Sequence, residues 1–231
     1  MSPSTPLEGI DVVLADLDGV LYQGAAEIPH AVSSLKKAAK KARLGYVTNN
    51  ASRTPEEVAH QISGYGLPTT AEDVVTSPQA AVRVLARVVP AGAKVLVVGG
   101  KGLVEEVAGA GFQVVTQASE QPAAVIQGFS PSVGWEQLAQ ASFALQADPL
   151  RPWIATNTDW TIPVEGGVAP GNGALVSAVH LAVGRLATFA GKPEKEIFDV
   201  ATERFSPQGG ALMIGDRLDT DILGANRGGM A

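Results

Sequence analysis

The chain has 231 residues, 45% of them hydrophobic, enough to bury the core of one large domain or two small ones. A net charge of −6 excludes the basic footprint of a nucleic-acid binder, and the absence of cysteine excludes disulfides and a thiol nucleophile. No apolar run reaches the roughly 18 residues of a membrane span, and no signal peptide precedes the first predicted strand, so a cytoplasmic protein without membrane or nucleic-acid partners is expected.

The first predicted element is the apolar run Val12–Ala15, which has the character of a buried parallel strand. It ends in Asp16-Leu17-Asp18-Gly19-Val20. Side chains two apart on an extended backbone point the same way, so Asp16 and Asp18 can face one pocket at the carboxyl end of the strand. Two carboxylates that close repel each other unless a cation or a proton lies between them. Alone, such a pair is more often a solvated turn. Lys36, Lys37, Lys40, Lys41 and Arg43 fall late in the next helix and form a solvated face that complements its dipole. A second strand ends in Thr48-Asn49-Asn50, and a helix follows with Thr54 as N-cap, Pro55 as first residue and Glu56-Glu57 in the first turn. A hydroxyl with exposed backbone N–H groups makes an anion cradle there.

After Tyr65 a second α/β unit is expected, entered through Val88–Ala93. Its predicted strands are Lys94–Val98, Ala123–Gln127 and Trp153–Thr156, and its helices Gly102–Ala110, Gly134–Gln146 and Gly173–Val183. Gly99-Gly100-Lys101-Gly102 is placed like a dinucleotide loop, but Glu105 stands where the third glycine belongs, so a tight turn is the better reading. His30, His60 and His180 have no metal-ligand spacing. Trp135 and Trp153 are expected in the core or an interface, while Trp160 lies with Asp159 in a polar loop over 157–167. The first βα pattern resumes at Leu186–Ala190. Gly191-Lys192-Pro193 follows, with Pro193 opening the helix Glu194–Phe205 and Lys192 held where its charge can meet an anion. The strand Ala211–Ile214 then ends in Gly215-Asp216-Arg217-Leu218-Asp219-Thr220-Asp221, an acidic cluster that is costly to pack without a cation.

Four strand ends thus carry Asp-x-Asp, Thr, Lys and Asp in that order. In Asp16–Gly24, Val47–Ser52, Gly191–Pro193 and Gly215–Ile222 the chain resembles the haloacid dehalogenase-like hydrolases. The likeness is to the capped branch with the 4-nitrophenylphosphatases, phosphoglycolate phosphatases and glycerol-3-phosphate phosphatases. The resemblance implies an α/β fold, a doubly wound, Rossmann-like parallel sheet with an inserted α/β cap. Residues 1–88 and 187–231 would form the core and 89–186 the cap, with a further core strand and helix beyond Ala231. It implies a phosphatase acting on a small phosphomonoester, glycerol 3-phosphate before 2-phosphoglycolate or a sugar phosphate. The only protein partner considered is a second copy of the chain meeting it through the cap.

In that reading Asp16 is the nucleophile that takes the phosphoryl group, and Asp18 is the general acid for the leaving oxygen and then the base for water. Mg²⁺ suits the carboxylates as a hard cation. Asp16 and Asp216 would bind it through side chains; by resemblance the Asp18 carbonyl is a third ligand and Asp221 acts from behind them. Thr48, Asn49, Asn50 and Lys192 would hold the phosphoryl oxygens, and Asp159 with Trp160 would choose the leaving group. Two other classes stay open: a phospho-accepting regulatory module, which gains nothing from a base at Asp18, and a phosphotransferase, which needs a cap that admits an alcohol in place of water.

Overall fold

A computed structural model of the chain describes residues 6–231. In chain order its elements are β1 (Val12–Ala15), β2 (Tyr22–Gln23), β3 (Ala26–Glu27), α1 (Ala31–Ala38), β4 (Arg43–Thr48), α2 (Pro55–Gly64), β5 (Val74–Thr76), α3 (Ser77–Val88), β6 (Lys94–Val98), α4 (Lys101–Gly109), β7 (Gln113–Val115), β8 (Ala124–Gln127), α5 (Trp135–Ala147), β9 (Trp153–Ala155), β10 (Thr161–Val164), β11 (Gly167–Pro170), α6 (Asn172–Val183), β12 (Thr188–Phe189), α7 (Lys195–Phe205), β13 (Ala211–Ile214) and α8 (Leu223–Arg227). Two compact units result. One holds the residues up to Thr48, Pro55–Val75 and Lys192–Ala231; the other, inserted into it, holds Asn49–Thr54 and Thr76–Gly191. Among the described residues no helix is long and apolar enough to cross a membrane.

The first unit is built on a four-stranded sheet in the order β13-β1-β4-β5. Val12 of β1 is in register with Arg43 on one side and Ala211 on the other, both in parallel. All four residues of β1 are buried, as expected of a central strand covered on both faces. Val13, Leu17, Leu21, Tyr22, Tyr46, Val58 and Ile62 pack into one cluster. Gly45 in β4 is there because the Phe205 ring of α7 lies against the strand: a Cβ at Gly45 would stand 2.4 Å from that ring. The Arg43 guanidinium lies over the Phe205 ring, 4.5 Å from its centroid.

Asp11, just before β1, ties down the turn into β13. Its carboxylate accepts the N–H groups of Gln208 at 2.8 Å, Gly209 at 2.9 Å and Gly210 at 3.2 Å. These bonds, Gly209 first, hold the Asp11 carboxyl below the ordinary value of 3.8. A group with a depressed folded pKa stabilises the fold above its unfolded pKa and loses that contribution as pH falls through the folded one. Asp11→Ala should therefore lower the denaturation midpoint at pH 7, and the gap to wild type should close as pH drops below 3.8. A gap unchanged with pH would mean that the charge is not what holds the turn.

The second unit has a five-stranded parallel sheet in the order β12-β9-β8-β6-β7. Leu96, Val98, Val125, Ala141, Leu145, Trp153, Val176 and Val179 form its core, with α5 and α6 packed together. Three expectations need correction here. The Leu186–Ala190 run does not resume the first sheet: its strand is only Thr188–Phe189, and it pairs with Ile154 and Ala155 of β9. A two-residue apolar strand carries no mark of which sheet it joins. The polar loop over 157–167 is in part a hairpin, with Thr161 opposite Pro170 and Val164 opposite Gly167. Of the two tryptophans expected in the core or an interface, Trp153 is buried in the core and Trp135 is 78% exposed at the start of α5. Pro193 sits in the turn before α7, which starts at Lys195 with Glu194 as N-cap.

Candidate active site

In the first sheet the chain moves outward from β1 through β4 to β5, then returns to the far side of β1 as β13. The order reverses between β1 and β13, and open α/β sheets bind ligands outside the carboxyl ends of the strands at such a point. Asp16 follows β1 and Asp216 follows β13 by two residues. A π-helical turn, Leu218–Ile222, brings Asp221 back toward them. The three carboxylates offer oxygens within 4.8 Å of one another.

Lys192 Nζ lies 2.6 Å from Asp16 Oδ1 and 2.6 Å from Asp221 Oδ1, and donates to the Val47 carbonyl at 3.2 Å. Lys192 is 3% exposed and Asp221 fully buried. Burial works against the lysine's charge, but Asp16 and Asp221 outweigh it and raise its pKa above the ordinary value. For Asp16 burial dominates: it pushes the carboxyl up to about 6 against the pull of Lys192, with Asp221 adding to the rise. Three carboxylates face one ammonium here, so the cluster keeps an excess of two negative charges when fully ionised. An all-oxygen, anionic donor set of this kind fits a hard divalent cation. Two glycines make the approach possible. A Cβ at Gly19, whose φ is +89°, would stand 2.3 Å from Asp216 Oδ2, and one at Gly215 would stand 2.1 Å from the Asp221 Cβ.

The remaining acidic residues separate by geometry. Asp18 is exposed on the loop after β1. Asp219 is exposed and turned to Arg217, whose Nη2 is 2.8 Å from its Oδ2; that bond lowers the Asp219 pKa. Asp221 is oriented by the Arg217 N–H, which donates to its Oδ2 at 3.2 Å. Thr48 ends β4 and is buried.

Asn49, Asn50, Asp159 and Trp160 belong to the second unit. Asn49 is buried, and its carbonyl accepts from Ser77 Oγ and Asn157 Nδ2, each at 2.7 Å. The Asn50 carboxamide oxygen accepts from Ser52 N at 2.9 Å and Ser52 Oγ at 2.8 Å, which folds the loop back on itself. Asp159 is half-buried and donates its N–H to Asn157 Oδ1 at 3.1 Å; Trp160 is exposed. Sequence reasoning passed over Ser77 and Asn157. Their only signal was a polar residue just past a buried strand, which is too common to single out.

The glycines of the dinucleotide-like loop serve packing. In the second sheet the order reverses between β6 and β8, and the loop segment 51–53 lies against the turns that follow them. A Cβ at Gly102 would stand 2.3 Å from the Arg53 carbonyl oxygen. The crevice where a nucleotide would bind is occupied by the chain's own backbone.

A doubly wound parallel sheet with paired acids and a buried lysine at its switch point defines an α/β protein built to handle an anion together with a cation. Residues 13–113 match the haloacid dehalogenase-like hydrolase family, and residues 189–231 match a HAD-hydrolase-like family. The chain is 44% identical over 220 residues to the D-glycerol 3-phosphate phosphatase of Mycobacterium tuberculosis (strain ATCC 25618 / H37Rv), an alignment covering 95% of this chain and 61% of that one. It is 38% identical over 245 residues to the glycerol-3-phosphate phosphatase of Gallus gallus, covering 97% and 78%. A glycerol phosphate phosphatase from Mycobacterium tuberculosis solved in complex with magnesium superposes with a TM-score of 0.90 at 43% identity, covering 96% of this chain and 66% of that one. The chain belongs to the haloacid dehalogenase-like hydrolases. It spans 61% of the length of the mycobacterial phosphatase.

Proposed function

We propose that this protein is a phosphoric monoester hydrolase that transfers the phosphoryl group of a small phosphomonoester to Asp16 and then to water, with glycerol 3-phosphate as the substrate. The observation that carries the reading is the convergence of Asp16, Asp216 and Asp221 on Lys192 at the β1/β13 switch. The two relatives named as glycerol-3-phosphate phosphatases support the choice of substrate.

Asp16 Oδ attacks phosphorus as the ester oxygen leaves, and Asp18 delivers the proton that the leaving alkoxide needs. Asp18 then removes a proton from the water that splits the aspartyl-phosphate. Its exposed position after Asp16 suits a group that must reach substrate and solvent in turn. Mg²⁺, held by Asp16, Asp216 and the Asp18 carbonyl with Asp221 behind them, would supply positive charge to the phosphoryl oxygens. Lys192, Thr48 and the Asn49–Asn50 segment hold the phosphoryl group from the chain's side. The second unit acts as the cap: it carries Asp159 and Trp160 and selects the leaving group. The reading places the enzyme in the cytoplasm. It pairs two chains through the cap, where Trp135, Phe143 and Leu181 are exposed on α5 and α6; a monomer in sedimentation velocity would overturn the pairing.

The test is a phosphate-release screen over small phosphomonoesters with and without Mg²⁺, with Asp16→Asn as blank. Release that ignores Mg²⁺, or none above the blank, removes the proposal. A preference for 2-phosphoglycolate or a sugar phosphate corrects the substrate alone. Within the acidic cluster, Asp216→Ala should raise the Mg²⁺ concentration for half-maximal rate by about 10-fold or more, because it deletes a ligand charge. Asp219→Ala, whose carboxylate is spent on Arg217, should change it less than about 2-fold; equal damage would show that the cluster is assigned wrongly. If the cap selects substrate, Asp159→Ala should lower kcat/KM for glycerol 3-phosphate more than for 4-nitrophenyl phosphate. Equal losses would move selection to Gly171–Gly173.

A further inference from the structure

The loop that follows Thr48 is gripped at both ends inside the second unit. At its start, both lone pairs of the Asn49 carbonyl are engaged, by Ser77 Oγ and Asn157 Nδ2 at 2.7 Å each. Both donors are buried. At its end, the Gly102 N–H donates to the Ser52 carbonyl at 3.4 Å, and a Cβ at Gly128 would stand 3.0 Å from the Ala51 Cβ. Asn157 is itself fixed on two further sides. Its Oδ1 accepts the Asp159 N–H at 3.1 Å, and its carbonyl accepts from Asn172 Nδ2 at 2.9 Å. A trans peptide is planar, with its C=O and N–H opposed, so pinning the Asn49 carbonyl also fixes the direction of the Asn50 N–H. One side chain therefore sets the aim of a peptide in the loop after Thr48 and touches the segment that carries Asp159 and Trp160.

We propose that Ser77 and Asn157 are positioning residues for the phosphoryl group. They hold the Asn49–Asn50 peptide so that the Asn50 N–H meets a phosphoryl oxygen, and Asn157 joins that grip to the segment that selects the leaving group. The inference rests on the phosphatase reading. It adds two residues that touch neither phosphorus nor metal and act only through Asn49.

The test uses the full chain with Mg²⁺ and inorganic phosphate as a competitive inhibitor, alongside kcat and KM on glycerol 3-phosphate and 4-nitrophenyl phosphate. Asn157→Asp keeps the shape and the acceptor for the Asp159 N–H but loses the donor to the Asn49 carbonyl. Asn157→Ala loses both, and Ser77→Ala removes only a hydroxyl. Both Asn157 variants should weaken phosphate inhibition and lower kcat/KM on both substrates by about 10- to 100-fold, the scale expected for a misplaced binding group. Ser77→Ala should do the same several-fold. Ser142→Ala, which breaks a half-buried bond to the Leu138 carbonyl in the same unit, should leave the phosphate inhibition constant unchanged. If the Asn157 variants do not fold, Ser77→Ala decides. A wild-type inhibition constant in Ser77→Ala and Asn157→Asp, with only the thermal midpoint lowered, makes the role purely structural and overturns the proposal. Wild-type behaviour of Asn157→Asp beside a damaged Asn157→Ala also overturns it, because the Asp159 contact would then be the one that matters. A wild-type chain that releases no phosphate sinks the phosphatase reading and this inference with it.

Discussion

Asp16→Asn will abolish phosphate release, by about 10⁴-fold or more, while the protein stays folded. The amide has the carboxylate's shape but neither its charge nor a free lone pair of sufficient nucleophilicity. Lys192 loses one of its two carboxylate partners and keeps Asp221 at 2.6 Å, so it is not left buried and unpaired. Burial already presses Asp16 toward its neutral form, up to about 6, so the fold does not depend on its being charged. Two measurements separate the outcomes. Rapid mixing with substrate followed by an acid quench should trap acid-stable phosphate on the wild type and none on the variant. Circular dichroism should show that the variant is folded. Turnover close to wild type in Asp16→Asn would end the covalent route.

Lys192→Met is the second large effect, and it should appear in stability as well as in rate. The substitution keeps most of the volume and removes the one ammonium between Asp16 and Asp221. Breaking a buried charge cluster by removing one partner costs about 3–5 kcal/mol. The sign of the pH dependence follows from the same groups. Without the lysine Asp16 loses the charge that opposes its rise, so its folded pKa moves further up. An acid with a raised folded pKa is tolerated while it is protonated and costs stability as pH climbs through that pKa. The variant should therefore be closer to wild type at pH 5 than at pH 8. Mg²⁺ should restore part of the loss at pH 8, since it supplies charge to the same carboxylates. Rate should fall about 10²- to 10³-fold, as for the loss of a group that stabilises phosphoryl charge. A loss of stability that is equal at both pH values would mean that the cluster is not ionised as described.

Much of the fold was legible because the chain writes it in local terms. Val12–Ala15, Lys94–Val98 and Ala211–Ile214 are short apolar runs ended by glycine or acids, and they form strands with the expected limits. Pro55 with Glu56 and Glu57 opens α2 as capping chemistry predicts. What stayed hidden were β5 and β7, with three residues each, and the hairpin strands β10 and β11, which are mostly exposed and so carry no apolar run.

The sequence by itself determined which side chains end which strands: Asp16 and Asp18 after the first, Thr48 after the next, Lys192 ahead of a helix, and Asp216 with Asp221 after the last. That information is local, since strand ends are marked by where apolar runs stop. Only the tertiary structure decided that β13 lies beside β1, which turns acids some 200 residues apart in the chain into one cluster around Lys192. It alone buried Asp221, turned Asp219 outward to Arg217, gave β12 to the second sheet, and set Ser77 and Asn157 on the Asn49 carbonyl. Pairing and burial depend on contacts between distant residues, and no local pattern of residue types encodes them.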